Sequence, residues 1–334
     1  MLMLSFGACG GNRGDKTGKN QKHRNNVVNV SEDITDIKTE ITFGKSVLYI
    51  IDDILIVEEI SPEGKKGIHL FNKNTFEFLT STGFTGRGPG EIVTPGRLGI
   101  DSRRRIFWVP DFGKQVIFKF PLDSVLCNEM FVPTEKIEMN SKYLINGFEF
   151  LNDTIGMGDA MGLSDSNTLD HTPIKLNIKT GRTEKFGYRY PEIGKLNSGS
   201  FFALSASDGI YVNCYFNCDL MTICDLNGSL KHNVYGPGWY DSEKDKKSYF
   251  FGADIMHNMI FASYIGSKGV VIKDNKPKGA LPTKFIVFDI HGDYLKTVET
   301  GNDFFSFCID EENNRIVAWF DDRAEALGYL NINF

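Results

Sequence analysis

Apolar runs and short polar turns alternate along this chain with a period of roughly fifty residues. The turns Asp52-Asp53, Asp101-Ser102, Asn152-Asp153, Asp208-Gly209, His257-Asn258 and Glu312-Asn313-Asn314 each separate two apolar runs. The runs that follow them are Ile54 to Val57, Ile106 to Val109, Thr154 to Met157, Ile210 to Val212, Met259 to Ala262 and Ile316 to Trp319. Short strands and tight turns at this period are the mark of β-propeller blades. In each blade a four-stranded antiparallel meander runs from an innermost strand outward, and these turns join the first two strands.

A second set of turns joins the outer two strands at the same period: Asn72-Lys73-Asn74, Pro121-Leu122-Asp123, Lys179-Thr180-Gly181, Asn227-Gly228 and His291-Gly292. Where that spacing stretches, 158–171 and 266–282 read as long polar loops between the second and third strands of the third and fifth blades. The last repeat ends after its third strand. The segment Asp33 to Thr42, with Ile34, Ile37 and Ile41, is placed to supply the missing strand and close the ring. Closure removes sheet edges that invite aggregation. The expectation is therefore an all-β, six-bladed β-propeller of four-stranded antiparallel blades, closed by an N-terminal strand that completes the last blade.

Composition agrees with many packed strands and tight turns: of 334 residues, 27 are Phe and 34 are Gly. A net charge of −6, mixed in sign, argues against a nucleic-acid partner, which calls for a basic stripe. No apolar run approaches the roughly twenty residues of a membrane span. Residues 1–9 end in small residues and Cys9, like the tail of a lipoprotein signal with Cys9 as the lipidated residue. Residues 10–26 are polar and read as a flexible tether, leaving 27–334 as the propeller. The membrane is then met only through a lipid anchor, in the cell envelope, by a monomer.

Thr85-Gly86-Arg87-Gly88-Pro89-Gly90-Glu91, followed by Thr94-Pro95, Gly99-Ile100-Asp101, Ile106 to Val109 and Asp111, resembles an NHL-type repeat. Over about Ile34 to Phe334 the chain is similar to the TolB-like six-bladed β-propeller lipoproteins. The other repeats are degenerate, Tyr235-Gly236-Pro237-Gly238 keeping only the Gly-Pro-Gly piece. The resemblance implies a lipid-anchored propeller and no particular activity.

Function in such a disc is expected at the mouth of the central channel, on loops held by a rigid scaffold. Arg87, Glu91 and Arg97 come from one connection, Asp111 and Lys114 from the next loop, and Asn146 and Asp303 open later innermost strands, with Trp239 nearby. These eight are the candidate ligand-binding residues, for a protein, peptide or glycan, with no bond made or broken and no cofactor. The alternative is a calcium-dependent lactonase- or esterase-like hydrolase with Ca²⁺ on the axis, held by oxygens from several innermost strands. Those strands begin near Ser46, Arg97, Asn146, Ser200, Gly252 and Asp303, a poor cage for a hard cation; Glu149 and Asp254 lie further along and reach the axis only in one strand register. No Gly-x-Ser-x-Gly, His-Glu-x-x-His or phosphate loop is present. Cys127, Cys214, Cys218, Cys224 and Cys308 lack zinc spacing and read as free thiols, and the histidines as solvated loop residues.

Overall fold

A computed structural model of the chain describes residues 17–139, 143–163, 169–194, 196, 198–241, 246–273 and 275–333. Cys9 and the first part of the expected tether lie outside these residues. Strands dominate, and they run in consecutive antiparallel meanders. The first is Ser46–Ile51, Ile54–Glu59, Lys66–Asn72 and Phe78–Phe84. The next two are Gly99–Asp101, Ile106–Asp111, Val116–Pro121 and Lys136–Glu138, then Leu144–Phe150, Ile155–Leu163, Leu169–Asn177 and Thr183–Lys185. A short parallel pairing of Gly99–Asp101 with Leu144–Phe150 fuses these two into one eight-stranded sheet.

Two further meanders follow: Ser200–Ser205, Ile210–Tyr215, Leu220–Asp225 and Leu230–Tyr235, then Lys247–Met256, Met259–Lys268, Lys284–Asp289 and Tyr294–Glu299. The last has Phe304–Asp310, Arg315–Phe320 and Leu327–Asn331, with Thr35–Ile37 paired antiparallel to its outermost strand. The first strands of successive meanders touch one another, and Phe304–Asp310 touches Ser46–Ile51.

Both faces of each sheet are covered, which is why four of the second strands are unbroken in burial. Ile54–Glu59, Ile106–Asp111, Ile210–Tyr215 and Arg315–Phe320 are buried at every position. Apolar clusters therefore sit between sheets. Ile56, Leu70, Phe107 and Phe120 pack between the first and second meanders, with Phe107 and Phe120 stacked at 5.0 Å.

Four features differ from the sequence-based expectation. Residues 158–171 and 266–282 are largely strand, since Ile155–Leu163 and Leu169–Asn177 extend into the first and Val270–Lys273 with Lys276–Gly279 forms a hairpin in the second. Glycine in the first marks close approach: a Cβ on Gly158 would run into the Gly147 carbonyl oxygen and the Phe148 backbone. The expected hairpin at Pro121 opens into a short helix, Leu122–Cys127, because Leu122 and Val125 reach the core from one face.

The second half of the expected tether is also built into the body. Gly18–Asn20 and Val27–Asn29 add in parallel to the outer edges of Leu230–Tyr235 and Tyr294–Glu299. An edge offers unpaired N–H and C=O groups, so a polar segment joins it without burying an apolar side chain. Arg24 pins the crossing, with its guanidinium 3.1 Å from the buried Asp219 carboxylate and 4.9 Å from the Tyr264 ring. Lastly, His69 is not a solvated loop residue. It is buried on Lys66–Asn72, with Nε2 2.9 Å from Glu59 Oε1 and Nδ1 2.8 Å from Ser81 Oγ.

Candidate functional site: the central channel

The glycine-rich connection is braced by the residues expected to bind from it. Glu91 Oε2 accepts from the Gly88 N–H at 2.6 Å, and Lys114 Nζ donates to the Gly88 and Glu91 carbonyls at 2.6 Å each. Asp111, fully buried, accepts from the N–H groups of Val93, Thr94 and Gly113, each at 3.0 Å. Gly90 turns with φ 72°, where a Cβ would meet Val132 and Pro133. These polar groups are consumed by their own backbone, and Arg87 faces solvent. Trp239 packs against Tyr190 and Tyr235, at 5.7 and 5.0 Å, away from the axis. Asp303 is ion-paired with Lys273 of the added hairpin and does not line the channel wall.

Arg97 and Asn146 do line it. The channel encloses about 860 Å³ between the innermost strands, within the size range of ligand pockets. The Arg97 guanidinium stands 5.4 Å from the centre of the Phe201 ring, half-buried, and makes no hydrogen bond or ion pair with any described residue. Asn146 Nδ2 donates to Asp159 Oδ2 at 3.2 Å, and the His171 ring lies 3.9 Å from that oxygen.

Two further carboxylates in the wall are Glu149 and Asp254. Each is tied to the first strand of the next meander. Glu149 Oε1 accepts from the Leu204 N–H at 3.1 Å, and Asp254 accepts from the Ile309 N–H at 3.2 Å and from its neighbour Ile255 at 2.8 Å. Tyr49 makes the equivalent link in the first meander, where its hydroxyl accepts from the Leu98 N–H at 3.0 Å and donates to Glu58 at 2.9 Å. One side chain of every second innermost strand thus laces it to its successor.

Burial, then the nearby Asp254 charge, pushes the Glu149 carboxyl up to about 8, against the pull of the Leu204 hydrogen bond. Burial lifts Asp254 to about 6, opposed by its two backbone donors and helped by Glu311. Glu58 also rises to about 8 by burial, which outweighs the Tyr49 hydroxyl and the Arg97 charge. No cation is paired with either channel carboxylate among the described residues.

Phe201 of the channel wall belongs to a cluster of phenylalanines. Phe251 lies 5.5 Å from Phe201, 6.1 Å from Phe216 and 5.6 Å from Phe305. At the far end of the channel, Lys73 bridges Asp310 and Glu312 at 3.0 and 2.8 Å, and Arg315 adds a contact to Asp310 at 2.9 Å. Among the described residues no three His, Cys, Asp or Glu side chains assemble into a metal set. Of the acids named for a calcium cage, Glu149 and Asp254 both line the channel, and Asp303, ion-paired with Lys273, does not. Cys214, Cys218, Cys224 and Cys308 are free and buried, and Cys127 is free and exposed.

No protein-family model matches this chain, and no curated protein matches it. Solved structures do. A putative exported protein from Bacteroides fragilis NCTC 9343 is 11% identical with a TM-score of 0.53, over 94% of this chain and 98% of that one. A member of the DUF4221 family from Bacteroides vulgatus ATCC 8482 is 10% identical with a TM-score of 0.55, over 89% and 93%. The WD40 repeats of RRP9 are 10% identical with a TM-score of 0.56, over 90% and 98%. The fold is a β-propeller. Likeness at this identity carries architecture alone. Among the described residues no helix is long and apolar enough to cross a membrane.

The site was partly visible in the sequence. The doublets Phe201-Phe202, Phe250-Phe251 and Phe304-Phe305 recur at the blade period, and one ring of each pair joins the cluster centred on Phe251. That recurrence was the available sign of the aromatic cluster.

Proposed function

We propose that the chain is a six-bladed, closed-ring binding module of the cell envelope, which takes a protein, peptide or glycan ligand at its mouth without changing a bond in it. The reading of six blades is supported by the run of four-strand meanders and by the contact between the first and last innermost strands. Closure by the N-terminal segment is supported by the pairing of Thr35–Ile37 with Leu327–Asn331. Membership of the TolB-like, NHL-type lipoproteins and lipidation of Cys9 belong to the same proposal, as does an exported location.

One observation carries the binding reading. A channel of about 860 Å³ holds an arginine that lies against the Phe201 ring and makes no hydrogen bond or ion pair with a described residue. A half-buried guanidinium left without a partner is costly unless a ligand supplies one. Labelled protein on peptide and glycan arrays tests it, beside Arg97→Gln and Phe251→Ala. Binding lost in both variants supports the mouth as the site. Binding unchanged in both places it elsewhere on the disc, and turnover of a lactone or ester by the wild type refutes the non-catalytic reading.

A further inference from the structure

The channel holds uncompensated charge of both signs. Arg97, near the mouth, has no carboxylate within ion-pair reach among the described residues. Glu149 and Asp254, in the same cavity, have no cation. Glu149 commits only Oε1 to the protein, through the Leu204 N–H, and its second oxygen opens on the cavity. The same wall also carries apolar side chains, among them Leu48, Phe201 and Phe307. Other buried charges are matched, some of them at the far end of the same channel. Arg24 sits on Asp219, and Lys73 and Arg315 both sit on Asp310. A desolvated charge without a counter-charge is destabilising, and no ion pair among the described residues supplies one to Arg97, Glu149 or Asp254.

We infer that the channel takes a small zwitterion, a free α-amino acid or a short peptide with a free N-terminus, its carboxylate on Arg97 and its ammonium on Glu149 and Asp254. This rests on the binding-module reading and deepens it. Guanidinium and carboxylate form a two-pronged pair, which orients the ligand from the mouth end. The ammonium neutralises a carboxylate pair that otherwise keeps its charge down by holding protons. Phe201 and its apolar neighbours are left to cover a side chain.

Direction with pH separates this ligand from an acidic sugar, which also suits Arg97. An ammonium is bound by ionised acids, so its arrival expels the Glu149 proton. Affinity then rises by up to about tenfold per pH unit between pH 6 and 8. Besides the pair, the charged and titratable groups lining the cavity are Tyr49, Asp52, Lys73, Arg97, Asp159, Cys308, Asp310, Glu311 and Glu312; within the pair, Asp254 titrates in the same window as Glu149. A sugar acid carries no cation, and its affinity falls as those carboxylates ionise.

Isothermal titration of the full chain with the proteinogenic amino acids, with alanine di- and tripeptides, and with the N-acetylated form of each provides the test. At least one zwitterion is expected to bind, to lose at least tenfold on N-acetylation, and to gain affinity from pH 6 to 8. Arg97→Gln is expected to weaken it at least tenfold. Glu149→Gln, which keeps the Leu204 hydrogen bond, is expected to weaken it and to flatten the pH profile. A melting curve for each variant confirms folding. No binding across the panel overturns the inference, as does an N-acetyl form that binds equally well or an affinity that falls with pH. An array ligand that is blocked by Arg97→Gln but carries no ammonium defeats the zwitterion and leaves the binding module standing.

Discussion

Replacing Glu149 by Gln should stabilise the propeller in alkali and leave it almost unchanged in acid. In the folded chain the carboxyl holds its proton to about 8, against an ordinary value of 4.5. Between those values the native state binds more protons than the unfolded state, so stability falls as pH climbs from 4.5 towards 8 and is flat above. At about 1.4 kcal/mol per unit the full shift has a ceiling of roughly 5 kcal/mol. Glu149 borders a cavity that admits water, which cuts the effect to about 2 kcal/mol. Unfolding entropy of about 2.1 cal/mol/K per residue over 334 residues converts that to about 3 °C. Gln keeps the acceptor for Leu204 and carries no charge at any pH. Differential scanning calorimetry at pH 5 and pH 9 should show Glu149→Gln matching wild type at the first and melting about 3 °C higher at the second. An equal shift at both, or a lower melting point at pH 9, refutes the claim that this carboxyl is ionised at a cost in the channel wall.

Three other substitutions test the packing that positions the site. His69→Ala leaves the Glu59 carboxylate buried with only the Gly44 N–H, and should lower stability by about 3 kcal/mol in thermal melts; an unchanged melting point contradicts a stabilising His69–Glu59 contact. Arg24→Ala strands Asp219, whose remaining donors are the Gly238 N–H and the Tyr264 hydroxyl. It should cost about 3 kcal/mol and expose 17–30 to limited proteolysis, whereas a resistant arm would show that edge pairing alone holds it. Gly158→Ala sets a methyl against the Gly147 carbonyl and should destabilise by at least about 2 kcal/mol in urea titration, a neutral result meaning that the two strands yield.

Strand positions were legible because a propeller buries both faces of its sheets. Ile106-Phe107-Trp108-Val109 is apolar throughout because each side meets another sheet, and Asp52-Asp53 interrupts two such runs where the chain reverses. Polar side chains were harder. Glu91, Lys114 and Asp111 share a type and neighbourhood with binding residues, but the backbone of their own loop uses up their hydrogen bonds. Whether Glu149 and Asp254 face the axis depends on strand register, and the register shift near Ile145 and Gly147 is one that periodicity does not reveal. The N-terminal arm escaped notice because composition reports on burial of side chains. Gly18–Asn20 is held through its backbone instead. Arg97 and Asn146 were found because both lie near the starts of innermost strands, although Asp303, similarly placed, does not reach the channel.

The most direct test of the channel as a binding site is diffraction from crystals of the full chain grown with the tightest-binding amino acid or peptide of the titration panel. Continuous ligand density from the Arg97 guanidinium to the Glu149 and Asp254 carboxylates is the predicted result. Density on the outer faces of the disc, with ordered water alone between Arg97 and Glu149, would contradict it.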